Sequence, residues 1–214
     1  MKENIILIGG GGHCKSIIDV IESTEKYNIL GIIDQKERIG EVILGYKIIG
    51  SDDNIDDLIK TCKNFHITVG HIKSNHTRVK LYNLIKSKGG HFSIIISPNA
   101  YVSKHAVINE GTIIMHHAFV NSAAKIGVNC IINTSSVIEH DSEIGNHCHI
   151  STGAFINGEC KVGKNSFIGS NSTLIQSITI GENNLIAAGS VVTKSTEPDF
   201  QYAGNPAKLK KKTQ

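Results

Sequence analysis

His140 is followed directly by Asp141, and an imidazole beside a carboxylate is the pairing that proton-transfer chemistry uses. Histidine is the natural general base near neutral pH, and an adjacent carboxylate fixes its tautomer and stabilises the imidazolium. Asn133, Glu139, His147 and His149 surround the pair in the sequence, and so many histidines close together also raise a metal site. His116 and His117 have no carboxylate at a matching spacing and read as surface residues.

A second candidate is Gly9-Gly10-Gly11-Gly12-His13, which follows an apolar strand and precedes a helical pattern. Glycines there let the backbone approach a phosphate, and the helix N-terminus supplies free N–H groups with partial positive charge. The dinucleotide fingerprint would need glycine where Cys14 stands, so NAD is not expected. Asp34 closes the next strand, where its carboxylate can accept hydrogen bonds from a ribose or uracil group.

The element that must hold His140 announces itself by a period of six. Starting at Ile96, an aliphatic residue falls at every sixth position through Val102, Ile108 and onward to Val192, with no step missed. The residue two before is usually small, as at Ala118, Ala124, Cys130, Ser136, Cys148 and Cys160, so these cysteines read as core filler. Six fits neither a 3.6-residue helix nor an ordinary period-2 strand. It is the hexapeptide repeat of a parallel β-helix, in which three hexapeptides make one coil. About five coils follow, giving a prism about 25 Å tall at a strand spacing of roughly 4.8 Å. One coil up from His140 is Gly158, whose backbone N–H is free to face a bound carbonyl.

Residues 1–91 lack this period and alternate strand with helix. Strands are expected at Ile5 to Ile8, Ile29 to Ile33 and Phe65 to Val69, with a hairpin from Val42 to Ile49 around Gly45. One helix carries Cys14, Ile17, Ile18 and Ile21 on one face, a second carries Ile55, Leu58, Ile59 and Cys62, and a third spans about Asn75 to Lys88. A last strand from Phe92 to Ile96 should lead into the repeat. The expected architecture is an α/β Rossmann-like domain over 1–91, then an all-β parallel β-helix with a C-terminal tail over 92–214.

Composition narrows the function. A net charge of +3, from 22 basic and 19 acidic residues, is too weak to point to nucleic acid. Lys210, Lys211 and Lys212 read as a solvated tail. The N-terminus shows no signal peptide and no apolar run reaches a membrane span, so a cytoplasmic protein is expected. Five cysteines without a CxxC pair argue against a disulfide framework or a zinc knuckle.

The two halves together resemble the hexapeptide-repeat sugar O- and N-acyltransferases, which include sialic acid O-acetyltransferases and the bacillosamine-pathway acetyltransferase acting on a UDP-4-amino-sugar. The resemblance rests on the turn ending in Gly12-His13, the segment from Ile132 to Asp141, the Gly158 to Gly163 stretch and Ala203-Gly204-Asn205-Pro206-Ala207. It implies a left-handed coil, acetyl-CoA as co-substrate without a metal, and a homotrimer with active sites at subunit interfaces. It makes His140 the general base, Asp141 its orienting carboxylate, and Asn133 and His149 neighbours of the acetyl group and acceptor. Gly158, His149, Ala188, Gly189 and Lys208 would meet the coenzyme, and Gly9, Gly11, Gly12, His13 and Asp34 a nucleotide-sugar. The implied reaction is N-acetylation of a nucleotide-linked 4-amino-4,6-dideoxy sugar. O-acetylation of sialic acid or a related nonulosonic acid is the alternative. A more distant one is a trimeric zinc lyase of the gamma-carbonic-anhydrase type using His117, His140 and His149. Cys14 and Gln35 depart from the commoner family pattern, which expects a small residue and a second acid.

Overall fold

A computed structural model describes residues 2–213. The N-terminal body runs β1 (Glu3–Ile8), α1 (Gly12–Thr24), β2 (Tyr27–Ile33), β3 (Val42–Ile43), β4 (Tyr46–Gly50), α2 (Ile55–Thr61), β5 (Asn64–Ile67), α3 (His76–Ser87) and β6 (His91–Phe92). These strands form one sheet in the order β3-β4-β2-β1-β5-β6, parallel except for the β3–β4 hairpin. The apolar face foreseen for α1 is fully buried at Cys14, Ile17, Ile18 and Ile21. Cys62 falls just beyond the end of α2 rather than on its face.

The expected single strand from Phe92 to Ile96 is two. His91–Phe92 pairs with Asn64–Phe65 in the first sheet, and Ile95–Ile96 pairs with Ile113–Ile114 in the first coil. The chain changes sheets at Ser93–Ile94, because no straight strand can join both.

From Ile95 the chain forms a left-handed parallel β-helix with three flat faces. Up to the top coil each strand pairs with the one 18 residues later, as Ile113 with Ile131 and His149 with Phe167. The period-six residues point inward and are buried without interruption from Ile114 to Val192. Corners turn through a left-handed residue at every sixth position, among them His117, Asn129, Asp141, His147 and Glu159. The glycines after the aliphatic residue serve a different need. A Cβ on Gly145 or Gly163 would lie 2.6 or 2.5 Å from the backbone nitrogen of the next coil.

The outward residue of each strand gives each face its character. Face one presents Ile95, Ile113 and Ile131, all buried against α1 in one continuous apolar cluster. Face three presents charge, with Lys125 and Glu143 paired at 3.1 Å. Face two presents Tyr101, Phe119, Val137 and Phe155, with Tyr101 57% and Phe155 46% exposed. The C-terminal lysines are not a loose tail. Phe200–Gly204 and Ala207–Lys212 form an antiparallel hairpin that extends face one at the top of the prism.

Candidate active site

His140 stands on the corner between faces two and three. Its Nδ1 donates to Asp141 Oδ2 at 2.9 Å. A carboxylate only accepts, so the neutral ring carries its proton on Nδ1 and leaves Nε2 as the basic nitrogen. Both side chains are more than half exposed. The hydrogen bond to Asp141 holds the His140 pKa above the ordinary histidine value, and the nearby charges of Asp141, Glu139 and Glu159 add to it.

The coil spacing places Gly158 where the repeat predicted. A Cβ there would fall 2.7 Å from both Cε1 and Nε2 of His140, so glycine is what lets the ring lie against the coil above. Among the described residues the Gly158 N–H has no hydrogen-bond partner. An exposed imidazole therefore lies over the buried Gly158 with its unpartnered amide, groups suited to take a proton from a nucleophile and to face a developing oxyanion. Glu159 completes this corner and escaped the sequence reading. Its N–H donates to the His140 carbonyl at 3.0 Å, and the stacking step from Asp141 would have pointed to it.

Asn133 and His149 do not join His140 within one chain. Asn133 lies on the corner between faces one and two, and His149 points outward from face one into the seam with the N-terminal body. His149 Nδ1 donates to the His71 carbonyl at 2.8 Å, and Asn133 Nδ2 donates to His149 Nε2 at 3.1 Å. The amide is oriented by its other end, where Oδ1 accepts from the Thr134 N–H at 2.8 Å. With both nitrogens engaged and only 7% exposure, His149 is a neutral seam residue, not a proton acceptor. Burial lowers its pKa to about 4. His147 is likewise structural, half-buried edge-on against Tyr82. His117, His140 and His149 stand on two different corners and a face, so they do not converge on a metal within the chain.

His116 corrects the expectation of a bare surface residue. Its Nε2 lies 2.9 Å from Asp19 Oδ2 on α1, and Ser97 Oγ lies 2.6 Å from its Nδ1. The carboxylate comes from a residue 97 positions away, so no local spacing could reveal it. Arg78, on α3, was missed for the same reason. It is fully buried and donates to the carbonyls of Ile67, Val69 and Asn129 and to Asn129 Oδ1. Burial lowers its pKa only to about 10, so it stays charged. Burial, reinforced by that charge, holds His13 and His66 at about 3 and His71 at about 2.

The glycine turn lines a cleft of about 760 Å³ at the C-terminal ends of β1, β2 and β4. Gly9 has φ +104°, and a Cβ there would meet the Val69 side chain at 2.4 Å. Gly11 and Gly12 have open space above them, and α1 starts there without a side-chain cap, leaving its first amides for an anion. Asp34 is more committed than expected. It accepts from the Gly10 N–H at 2.5 Å, from Arg38 Nη1 at 2.6 Å and from the Gln35 N–H at 2.7 Å. It braces the turn and orients Arg38, a cleft residue absent from the sequence reading, and keeps about one acceptor position for a ligand.

Ala188 and Gly189 lie exposed on an upper coil beside the hairpin. The Ala187 N–H donates to the Tyr202 carbonyl at 2.9 Å, and Lys208 pairs with Ala203. Ala188 and Gly189 share the corner of Asn133, one face away from Gly158 and His140.

Stacked hexapeptide coils with an imidazole and an unpartnered amide on one edge are joined to an α/β body with an anion-ready cleft. Residues 4–85 match the PglD N-terminal domain, and residues 159–194 match the bacterial transferase hexapeptide (six repeats). The chain is 33% identical over 117 residues to UDP-N-acetylbacillosamine N-acetyltransferase of Bacillus subtilis, a match spanning 53% of the chain and 51% of that protein. The chain thus spans about half the length of this curated relative. A histidine variant of perosamine N-acetyltransferase from Caulobacter crescentus, in complex with CoA and GDP-perosamine, superposes with a TM-score of 0.91 at 28% identity, covering 97% of this chain and 96% of that one. The acetyltransferase domain of PglB from Neisseria gonorrhoeae, in complex with acetyl coenzyme A, gives 0.89 at 27% identity, covering 98% and 100%. In both family models and in fold the chain is similar to the hexapeptide-repeat sugar O- and N-acyltransferases.

Proposed function

We propose that the protein transfers an acetyl group from acetyl-CoA directly to the amino group of a nucleotide-linked 4-amino-4,6-dideoxy sugar. The observation that carries this reading is the His140 geometry: Nδ1 held by Asp141, Nε2 free, and the ring against Gly158. The amine attacks the thioester carbonyl, and His140 Nε2 takes the proton released as nitrogen becomes bonded to carbon. The Gly158 N–H meets the oxyanion, an effect worth roughly 3 to 4 kcal/mol for one such donor. Collapse expels the CoA sulfur, which receives the proton from His140. No covalent acyl-enzyme is required.

The glycine cleft takes the nucleotide, with the α1 amides facing the diphosphate. The upper corner at Ala188 and Gly189, beside Lys208, suits a phosphorylated coenzyme. Since this corner and His140 lie on different edges, a complete site needs two copies of the chain. The uncovered apolar residues of face two, between those edges, supply a surface for that assembly, and a homotrimer is the reading we adopt.

The test is CoA release with a panel of UDP-, GDP- and dTDP-linked 4-amino sugars. His140→Ala should lower kcat by about a hundredfold or more with its assembly intact. Near wild-type turnover by that variant would remove His140 from the role of base.

A further inference from the structure

Glu139, Asp141 and Glu159 surround His140, and none of these carboxylates pairs with a lysine or arginine among the described residues. Asp141 has only the imidazole. Glu139 accepts from Asn121 Nδ2 at 2.6 Å, and Glu159 accepts from Ser177 Oγ at 2.9 Å, both neutral donors. Two acids elsewhere on the prism, Glu143 and Glu182, are paired one coil away, with Lys125 at 3.1 Å and with Lys164 at 3.2 Å. The corner below His140, Asn121 to Ala124, adds no charge, and neither does Ile175 to Ile178 above. Lys104 and His105 lie two coils below on this edge and Lys194 three coils above, so the coils next to His140 leave a negative collar around its basic nitrogen.

Glu159 is the member of the collar whose position the fold fixes most tightly. It stacks directly above Asp141, its N–H is bonded to the His140 carbonyl, and Ser177 aims its carboxylate. Neither tautomer control nor the oxyanion contact needs it. We propose that Glu159 is a specificity-determining residue that selects an acceptor arriving at His140 as a cation, and so favours an ammonium sugar over an acidic one. The inference rests on the acetyl-transfer reading above. An amino sugar approaches as its ammonium, is drawn to the collar, and gives one proton to solvent before the free amine attacks, leaving His140 to take the second. A nonulosonic acid brings a carboxylate to the same edge and is repelled, since like charges in close apposition are costly.

The experiment compares wild type, Glu159→Gln and Ser177→Ala in acetyl-CoA-dependent acetylation. Acceptors are a nucleotide-linked 4-amino sugar and a free nonulosonic acid, each assayed across pH and at low and high salt. With the amino sugar, Glu159→Gln should raise KM by about three- to tenfold at low salt and less at high salt, the loss falling on KM more than on kcat. Removing the carboxylate also destabilises the imidazolium, so the acid limb of kcat/KM should move to lower pH. A merely structural role would depress kcat without moving that limb. Ser177→Ala keeps the charge and should leave the limb in place while raising KM less. Unchanged KM and limb in Glu159→Gln, or wild-type preference for the nonulosonic acid, overturns the inference. Wild type inactive on every amino sugar overturns the function reading itself. In that case an NMR titration of His140 in wild type and Glu159→Gln still decides whether the collar acts on the base.

Discussion

Gly158→Ala tests the central geometry with one methyl group. Gly158 does not occupy the left-handed region, so alanine costs no backbone strain there. Its Cβ would sit 2.7 Å from Cε1 and Nε2 of His140, about 0.7 Å short of ordinary contact at 3.4 Å. Because the His140 side chain is 56% exposed, the ring can swing outward and relieve the clash. Relieved by that ring movement, the clash should change stability by no more than about 0.5 kcal/mol. Catalysis is less forgiving, since a misplacement of about 1 Å can cost on the order of a hundredfold. A displacement of about 0.7 Å then predicts a kcat lower by about 10- to 100-fold, or about 1.4 to 2.7 kcal/mol in the barrier. Continuous CoA-thiol detection at saturating acceptor measures kcat, with thermal melting and light scattering as controls for folding and assembly. A Gly158→Ala enzyme within twofold of wild type would refute the claim that the ring reacts from its place against this coil.

The buried histidines predict acid instability. His13, His66, His71 and His149 have folded-state pKa values of about 3, 3, 2 and 4, below the ordinary 6.5 they regain on unfolding. Above pH 6.5 they cost nothing. As pH falls below 6.5 the unfolded chain binds protons that the fold refuses, so stability drops by as much as about 5 kcal/mol per pH unit until the folded values are reached. Denaturant titrations at pH 7.5, 6.5 and 5.5 should show this, and a flat profile would mean that the imidazoles are solvated. On face two, Phe155→Glu should abolish the trimer and with it turnover, while leaving the coil folded. Light scattering reads the first and circular dichroism the second, and an intact active trimer would remove face two from the interface.

The coil was legible because its rule is local. An inward aliphatic side chain every six residues fixes the strand, the corner and the register one coil up, so the stacking of His140 under Gly158 followed from counting. The glycine turn was legible for the same reason, since α1 must begin just after it and leave its amides exposed. Counting also misled. Each hexapeptide turns the chain onto the next face, so His140 stands close in sequence to the bonded pair Asn133 and His149 but on a different edge of the prism. His149 took its meaning from the His71 carbonyl, His116 from Asp19, and Asp34 from Arg38.

The sequence by itself determined the prism, its register and the His140–Asp141 pair with its amide, because repeat stacking and neighbouring side chains are properties of short segments. Tertiary structure alone decided which face the α/β body covers, which histidines it buries around Arg78, and which edge stays open for reaction. Those outcomes depend on surfaces brought together from opposite ends of the chain, and burial, which sets the charge state of an imidazole, exists only once they have met.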